Sequence, residues 1–374
     1  MRTAEIAGAG LAGLTVATRL AQLGWNVRLH ERNEELRMFG AGIWLWESGL
    51  KALETIGAFK EALERAKEIQ EWRIADHLGN TMMSRRSSAD DRLMLPPRAD
   101  LYEALIKQAR SFGVQIETSS LVTKVDPMGR IETDSGSNSD ADLVIVADGA
   151  YSRLRECISG TSWMDFGKQA GVRMLIEHND ADGYPDDTIV EYWNGNRRLI
   201  YNPCTGTHDY VFMSAPVSDT RGGKIPIDRK LWAQEFPEVS TLIERCSEGG
   251  RWDRLVNVRC RTWTKGKVAI IGDAAHAMPP NLGQAANTAF NNAMALAYAV
   301  DRSTDVPSAL RTWEATQRTL TNHVQNWSYG YGYVLGNCPP ILGRLRQQCL
   351  TKASETSWFD RQLNRGARAI PAGS

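Results

Sequence analysis

The chain has 374 residues, of which 42% are apolar, enough for one large or two intimate domains with a substantial core, and this excludes a disordered chain. Lys plus Arg and Asp plus Glu both number 44, so no basic footprint for nucleic acid or for a membrane surface stands out, and the expected partner is a small molecule. The cysteines at 157, 204, 246, 260, 338 and 349 form no CxxC pair and no zinc-type Cys/His spacing, and no apolar run approaches the ~18 residues of a membrane span; a cytoplasmic monomer or homodimer without a metal is expected.

Thr3 to Ala7 is a short strand-like run, Gly8-Ala9-Gly10-Leu11-Ala12-Gly13 follows, and Leu14, Ala17, Leu20 and Ala21 carry a helical period that Gly24 stops. Trp25 to His30 reads as a second strand, ending in Glu31. A glycine-rich turn by itself also serves packing. Between a strand and a helix, with an acid roughly 20 residues on, it is a dinucleotide fingerprint: the glycines let the backbone approach a pyrophosphate, and the acid binds ribose hydroxyls.

Arg37 to Ile43 (RMFGAGI) is either a surface turn or a place where Gly40 and Gly42 let the backbone meet a flat or phosphate-bearing ligand. Trp44 and Trp46 share one side of a strand, and Ser48 is expected to cap a helix bearing Leu50, Leu53 and Ile56. Ile69 to Arg86, with Trp72, reads as strands and turns of a substrate layer. Pro96-Pro97-Arg98 opens a helix; its arginine is a solvated charge unless that entrance faces a nucleotide. Val114 to Glu117, Leu121 to Val125 and Gly129 to Thr133 read as a small meander, and Leu143 to Ala147 as a buried strand ending in Asp148-Gly149.

From Thr161 to about Cys260 the segments are aromatic-rich and alternate in polarity, as in Thr188 to Trp193, Arg198 to Tyr201 and Tyr210 to Ser214, which predicts a mostly β layer. Val268 to Ile271 then forms a buried strand, Gly272-Asp273 a polar turn, and Pro279-Pro280 and Gly283 precede a long helix. A helix N-terminus presents unpaired N–H groups to an anion or an electron-rich ring edge, and Asp273 suits the hydroxyls of a polyol. Val306 to Tyr329 is a further long helix, and the tail beyond Tyr333 carries no readable function.

Three motifs stand in one order: GAGLAG with Glu31, ADGAYSRLR, and IIGDAAHAMPPNLGQAAN. Together they resemble the single-component, FAD-dependent aromatic hydroxylases of the para-hydroxybenzoate hydroxylase type, over nearly the whole chain. FGAGIWLW, GWNVRLHE, RRLIYNPC and RTWTKGK are most similar to the branch acting on hydroxypyridine carboxylates. The hydroxynicotinate branch carries a functional histidine after GAGI where this chain has Trp44, so that base is not transferred. The resemblance implies an α/β fold: a Rossmann-like FAD-binding domain from segments 1–68, 98–160 and 261–330, an inserted mostly β substrate domain from 69–97 and 161–260, and C-terminal helices over 331–374.

It also implies roles for matching positions. Gly8, Gly10, Leu11, Ala12 and Gly13 would meet the FAD pyrophosphate, with Glu31 and Arg32 at the adenosine. Gly40, Ala41 and Gly42 would line the ribityl and ring edge, Arg98 would reach ribityl and phosphate oxygens, and Asp148 and Gly149 belong to the motif associated with FAD and nicotinamide. Gly272 and Asp273 would hold the ribityl chain, Arg173 would lie near the flavin, and Pro280, Gly283 and Ala285 would bound the reactive ring. Arg198 and Tyr210 would contact substrate, with Trp44 and Trp72 as pocket walls; without the resemblance, Arg198 is a solvent-facing strand arginine beside Arg197, and Tyr210 a structural tyrosine. His276 reads as structural, Cys204 and His208 as neighbours of the pocket, and no general base is evident. Two positions depart from the family: Ala285 replaces the last glycine of GQG, and Asn292 an acid. The implied reaction uses NAD(P)H, NADH ahead of NADPH, and O2 to hydroxylate a hydroxylated N-heteroaromatic or aromatic carboxylate, or to open its ring. Other flavin oxidoreductases on this scaffold, such as an antibiotic-modifying oxygenase or a halogenase, and a flavin-binding regulator without turnover are the alternatives.

Overall fold

The computed structural model describes the whole chain except residues 37–40, 89–90, 166–167, 247 and 337–341. Its first layer is a six-stranded sheet in the order Thr264–Lys265, Val268–Ile270, Leu143–Val146, Thr3–Ala7, Asn26–His30, Gln115–Glu117. All neighbours are parallel except the 264–265 edge. The runs LVIV and VAI are apolar throughout because a parallel sheet is buried on both faces. Register aligns Ala7 with Val146 and His30, and Val146 with Ile270, so the chain leaves all four strands at one edge, through Gly8, Asp148, Glu31 and Gly272. Ligands of open α/β sheets bind outside these carboxyl ends. Helices Leu11–Gln22, Ala285–Asp301 and Arg98–Ser111 cover this layer.

The second layer is a seven-stranded sheet in the order Asp253–Arg254, Gln169–Glu177, His208–Pro216, Arg197–Pro203, Thr188–Asn194, Glu71–Asp76, Thr81–Arg86. Strands from both sides of the 98–160 segment therefore hydrogen-bond in one sheet, joined by the parallel pairing of 71–76 with 188–194. Period-two alternation gives its faces different tasks. Val172, Met213, Leu199 and Tyr192 point to a core closed by Trp232 and Phe236. The opposite face carries two rows, Arg173, Phe212, Ile200, Glu191 in one, and Gly171, Ser214, Arg198, Trp193 in the next.

Three local expectations are corrected. Ser48 is not a cap: Trp46 occupies that position, the helix is Glu47–Ile56, and the Ser48 hydroxyl is buried inside it. Gln115–Glu117 leaves the meander and pairs with Asn26–His30; the small sheet is built from Val122–Asp126, Arg130–Thr133 and Asn138–Asp140. The long helix runs on to Gly336. The tail returns over the first layer, where Ala367 O accepts from Ser48 N (2.9 Å) and Leu363 O from Gln284 Nε2 (2.9 Å). Among the described residues no helix is long and apolar enough to cross a membrane, and no cluster of His, Cys, Asp and Glu could hold a metal ion.

Candidate active site

Each glycine of the first turn has a different physical reason. A Cβ on Gly8, at φ +105°, would lie 2.5 Å from Ala147 O, and one on Gly13 would lie 2.0 Å from Gly8 O, so these two permit close packing of strand, turn and helix. A Cβ on Gly10 would meet nothing within 4 Å; that space is open, in front of the helix beginning at Leu11. Glu31, at the end of the second strand, accepts from Ala9 N (3.1 Å) and from Asn33 N (3.0 Å). A cavity of about 670 Å³ runs from Glu31 and Arg32 past Gly8 and Gly10 to Asp148 and Gly149. Burial pushes the Asp148 carboxyl up, and its Oδ1 has no partner.

Gly10, Ala147 and Gly149 also line a second cavity of about 350 Å³ between the two layers, so the two form one groove. Leu11, Ala12, Gly42, Trp44, Gly272, Asp273, Pro280, Gly283 and Ala285 line it from the first layer, and Arg173, Ile200, Tyr210 and Phe212 from the sheet. The glycines again mark contacts. A Cβ on Gly42 would lie 2.7 Å from the Tyr210 ring, and one on Gly283, at φ +62°, 2.4 Å from the Trp44 ring. Ala41 is buried and its carbonyl accepts from Arg98 N (2.8 Å), which ties the RMFGAGI segment to the helix at Arg98; Gly40 lies outside the described residues.

Charge in this cavity is unbalanced. Among the described residues, Arg98, Arg173 and Arg254 line it with a single carboxylate, Asp273. Arg98 Nε has no hydrogen-bond partner, and burial, reinforced by Arg173, pulls its guanidinium below the usual range. Asp273 is open to the cavity itself, yet the surrounding protein pushes its carboxyl up, against the pull of Arg98 and Arg173. An excess of guanidinium over carboxylate favours an anionic or electron-rich ligand. Burial also raises the Tyr210 phenol above its ordinary value, which keeps it a proton donor at neutral pH.

Two expected substrate contacts, Arg198 and Trp72, lie off the cavity lining. Arg198 does not line the cavity: it is 1% exposed, its Nε lies 2.9 Å from Glu191 Oε1, and its Nη1 donates to Asn281 Oδ1 (2.9 Å). Trp72 lies one layer behind Trp44, with ring centroids 5.3 Å apart, and its Nε1 donates to Glu191 Oε2 (3.2 Å). Glu191 draws both inward. It also accepts from Trp193 Nε1 (2.6 Å) and Tyr331 OH (3.1 Å), and this hub was missed in the sequence, where it is one acid in a strand of alternating polarity. Trp44 does face the cavity, held by its Nε1 bond to Asn202 Oδ1 (2.8 Å). Cys204 and His208 are not on its lining, and burial raises the Cys204 thiol to about 12.

The two departures acquire partners or places. Asn292 donates to His276 Nε2 (2.9 Å) and to Thr321 Oγ1 (3.1 Å), while burial lowers His276 to about 4, so a neutral imidazole accepts from an amide. Ala285 is the first residue of its helix, and its methyl lies on the cavity wall.

Comparison with known proteins agrees with this geometry. The FAD binding domain family profile matches residues 1–327. The tetrameric form of 2-methyl-3-hydroxypyridine-5-carboxylic acid oxygenase superposes with a TM-score of 0.87 at 32% identity, covering 99% of this chain and 97% of that one. The 2-heptyl-3-hydroxy-4(1H)-quinolone synthase of Mycobacteroides abscessus is 36% identical over 95% of this chain and 96% of its own length. The 6-hydroxynicotinate 3-monooxygenase of Bordetella bronchiseptica is 27% identical over 90% and 92%. The chain belongs to the FAD binding domain family and is an FAD-dependent aromatic monooxygenase.

Proposed function

We propose that the protein uses NAD(P)H, NADH ahead of NADPH, and O2 to hydroxylate a flat N-heteroaromatic ring, with a 2-alkyl-4-quinolone ahead of a carboxylated pyridine. The observation that carries the order of substrates is the Glu191–Arg198 pair. Arg198, the arginine that the sequence offered to a substrate carboxylate, is instead compensated by a buried carboxylate, and Ile200, Tyr210 and Phe212 of the same sheet offer the ring an apolar and aromatic wall. The quinolone class is supported by the relative at 36% identity. A carboxylated pyridine is the second reading, supported by the unbalanced guanidinium groups of Arg173 and Arg254.

The groove fits FAD: open space at Gly10 and Gly149, an unpartnered Arg98 Nε and an Asp148 Oδ1 without a partner are what a bound dinucleotide would fill. Gly10 with Leu11 and Ala12 would hold the pyrophosphate, on a turn whose close packing Gly8 and Gly13 allow, Glu31 and Arg32 would hold the adenosine, and Arg98, Asp148 and Asp273 the ribityl hydroxyls and phosphate. Gly42, Gly283 and Ala285 would border the ring system, and Arg173 would stabilise negative charge on it. When bound, FAD supplies hydride acceptance from the nicotinamide and activation of O2 for oxygen transfer to an electron-rich ring carbon. The chain's own residues then do three things. Trp44, Ile200 and Phe212 exclude water from the face where the substrate ring lies. The Tyr210 phenol, held protonated, donates to the ring oxygen and orients it. Pro280 opens the short turn Pro280–Leu282 on the cavity wall, and backbone N–H groups of that turn would stabilise developing charge.

The test is ring-stimulated NADH oxidation by the FAD-loaded protein across 2-alkyl-4-quinolones and hydroxypyridine carboxylates. Stimulation by the quinolones above that by the acids is expected; stimulation by the acids alone reverses the order, and by no ring removes the proposal.

A further inference from the structure

The strand Arg197–Pro203 places an amide, Asn202, on the wall of the cavity between the layers, where it is fully buried. Asparagine suits a strand interior poorly, and a buried amide is costly unless its hydrogen bonds are made. Here they are made. Nδ2 donates to Tyr210 O (2.9 Å) and to Ile200 O (3.2 Å), and Oδ1 accepts from Trp44 Nε1 (2.8 Å). A carbonyl only accepts and an indole N–H only donates, so this amide has a single orientation. Tyr210 is the residue directly opposite Asn202 in the sheet, and its ring lies against Gly42. The 42–44 segment therefore meets two paired residues of the sheet, Gly42 at Tyr210 and Trp44 at Asn202. Trp44 is held at both ends: its carbonyl accepts from Asn287 Nδ2 (3.1 Å) on the long helix, its ring tip donates to Asn202, and its ring lies on Gly283 between them.

An indole on the wall of a cavity has several rotamers open to it, and a hydrogen bond to a buried acceptor of fixed orientation selects one of them. We propose that Asn202 is a positioning residue for oxygen transfer: by fixing the Trp44 indole relative to the strand that carries Tyr210, it sets the slot in which the substrate ring lies flat between the layers. It acts through Trp44. The tasks of Trp44 and Tyr210 rest on the function proposed above, whereas the hold on the indole rests on the three bonds of the amide. When transfer succeeds, NADH, a proton, O2 and the ring give NAD+, water and the hydroxylated ring. A slot that no longer holds the ring in line diverts turnover, and NADH, a proton and O2 give NAD+ and hydrogen peroxide.

The ratio of hydroxylated product to peroxide, measured on the FAD-loaded protein with NADH and 2-heptyl-4-quinolone, tests this. Trp44→Phe keeps a flat ring and removes the N–H; Asn202→Leu keeps the volume and removes the acceptor. Each should lower the ratio about fivefold, the worth of one neutral hydrogen bond, with the flavin absorption spectrum unchanged. Because both changes break the same bond, the double variant should fall no further than either single one. An unchanged ratio in either single variant, or a double variant in which the two losses multiply, overturns the positioning role. Trp44→Phe spares both backbone bonds of Asn202 and carries the test by itself if Asn202→Leu does not fold. Heteronuclear NMR of the tryptophan side chains, recorded without substrate, keeps the readings apart. The indole signal missing from Trp44→Phe should move in Asn202→Leu. A signal that stays in place contradicts this inference whatever the turnover, and one that moves while no ring stimulates NADH oxidation contradicts the proposed function alone.

Discussion

Glu191 and Arg198 are 0% and 1% exposed, so removing either leaves a full charge inside the protein. Arg198→Met or Glu191→Leu should each lower unfolding free energy by about 3–5 kcal/mol, whereas the double variant should recover most of the loss, measured by urea titration. A single Arg198→Met change that spares stability and only weakens a carboxylated substrate would return Arg198 to the binding site. His276 gives a pH test. Its folded value is about 4 against an ordinary 6.5, so between those values the unfolded chain binds a proton that the folded chain refuses. Stability should therefore fall as pH drops from 6.5 towards 4 and level off below, by on the order of 3 kcal/mol in all. His276→Gln should remove that slope; an unchanged slope would assign it to other groups. The structural role of His276 was legible in sequence, whereas the Glu191 hub was not, because Glu191 meets Arg198, Trp72 and Tyr331 only through sheet register and the fold.

At the scale of elements, the strand, turn and helix of the first glycine motif were legible because their contacts are local and the motif fixes their spacing. The open space at Gly10 and the packing at Gly13 separate ligand from fold. Gly10→Ala should leave the stability of the flavin-free protein within about 0.5 kcal/mol and weaken FAD binding by about tenfold or more. Gly13→Ala should destabilise the fold itself, since its Cβ would sit 2.0 Å from Gly8 O. Thermal unfolding with and without added FAD distinguishes the two, and equal losses of stability would sink the division. Ser48 shows the opposite outcome. Serine is a good cap by its chemistry, but Trp46, extended and tied to Asn287 Oδ1 (3.0 Å), starts the helix two residues earlier. The Gln115–Glu117 strand was misplaced for a similar reason: three residues read equally well in either sheet, and pairing with Asn26–His30 decides.

For the whole molecule, the order of apolar runs and aromatic segments was enough to read two layers, but not how the site is assembled between them. Arg173, Ile200, Tyr210 and Phe212 meet Trp44, Asp273 and Pro280 across the layers because the 188–194 strand pairs with 71–76, a contact no local pattern announces. The tail, unreadable in sequence, closes over Gln284 and Ser48. Truncation after Glu355 should therefore loosen the start of the Ala285–Asp301 helix and lower flavin retention on desalting; full retention would make the tail dispensable.

The central claim is that this groove holds FAD and directs one oxygen atom onto a ring laid against the substrate sheet. Turnover of 2-heptyl-4-quinolone by the FAD-loaded protein with NADH under labelled dioxygen, read by mass spectrometry of the product, tests it most directly. An intact ring carrying one labelled oxygen is expected; two labelled oxygens in an opened ring, or NADH consumed with no label in any product, would overturn this reading.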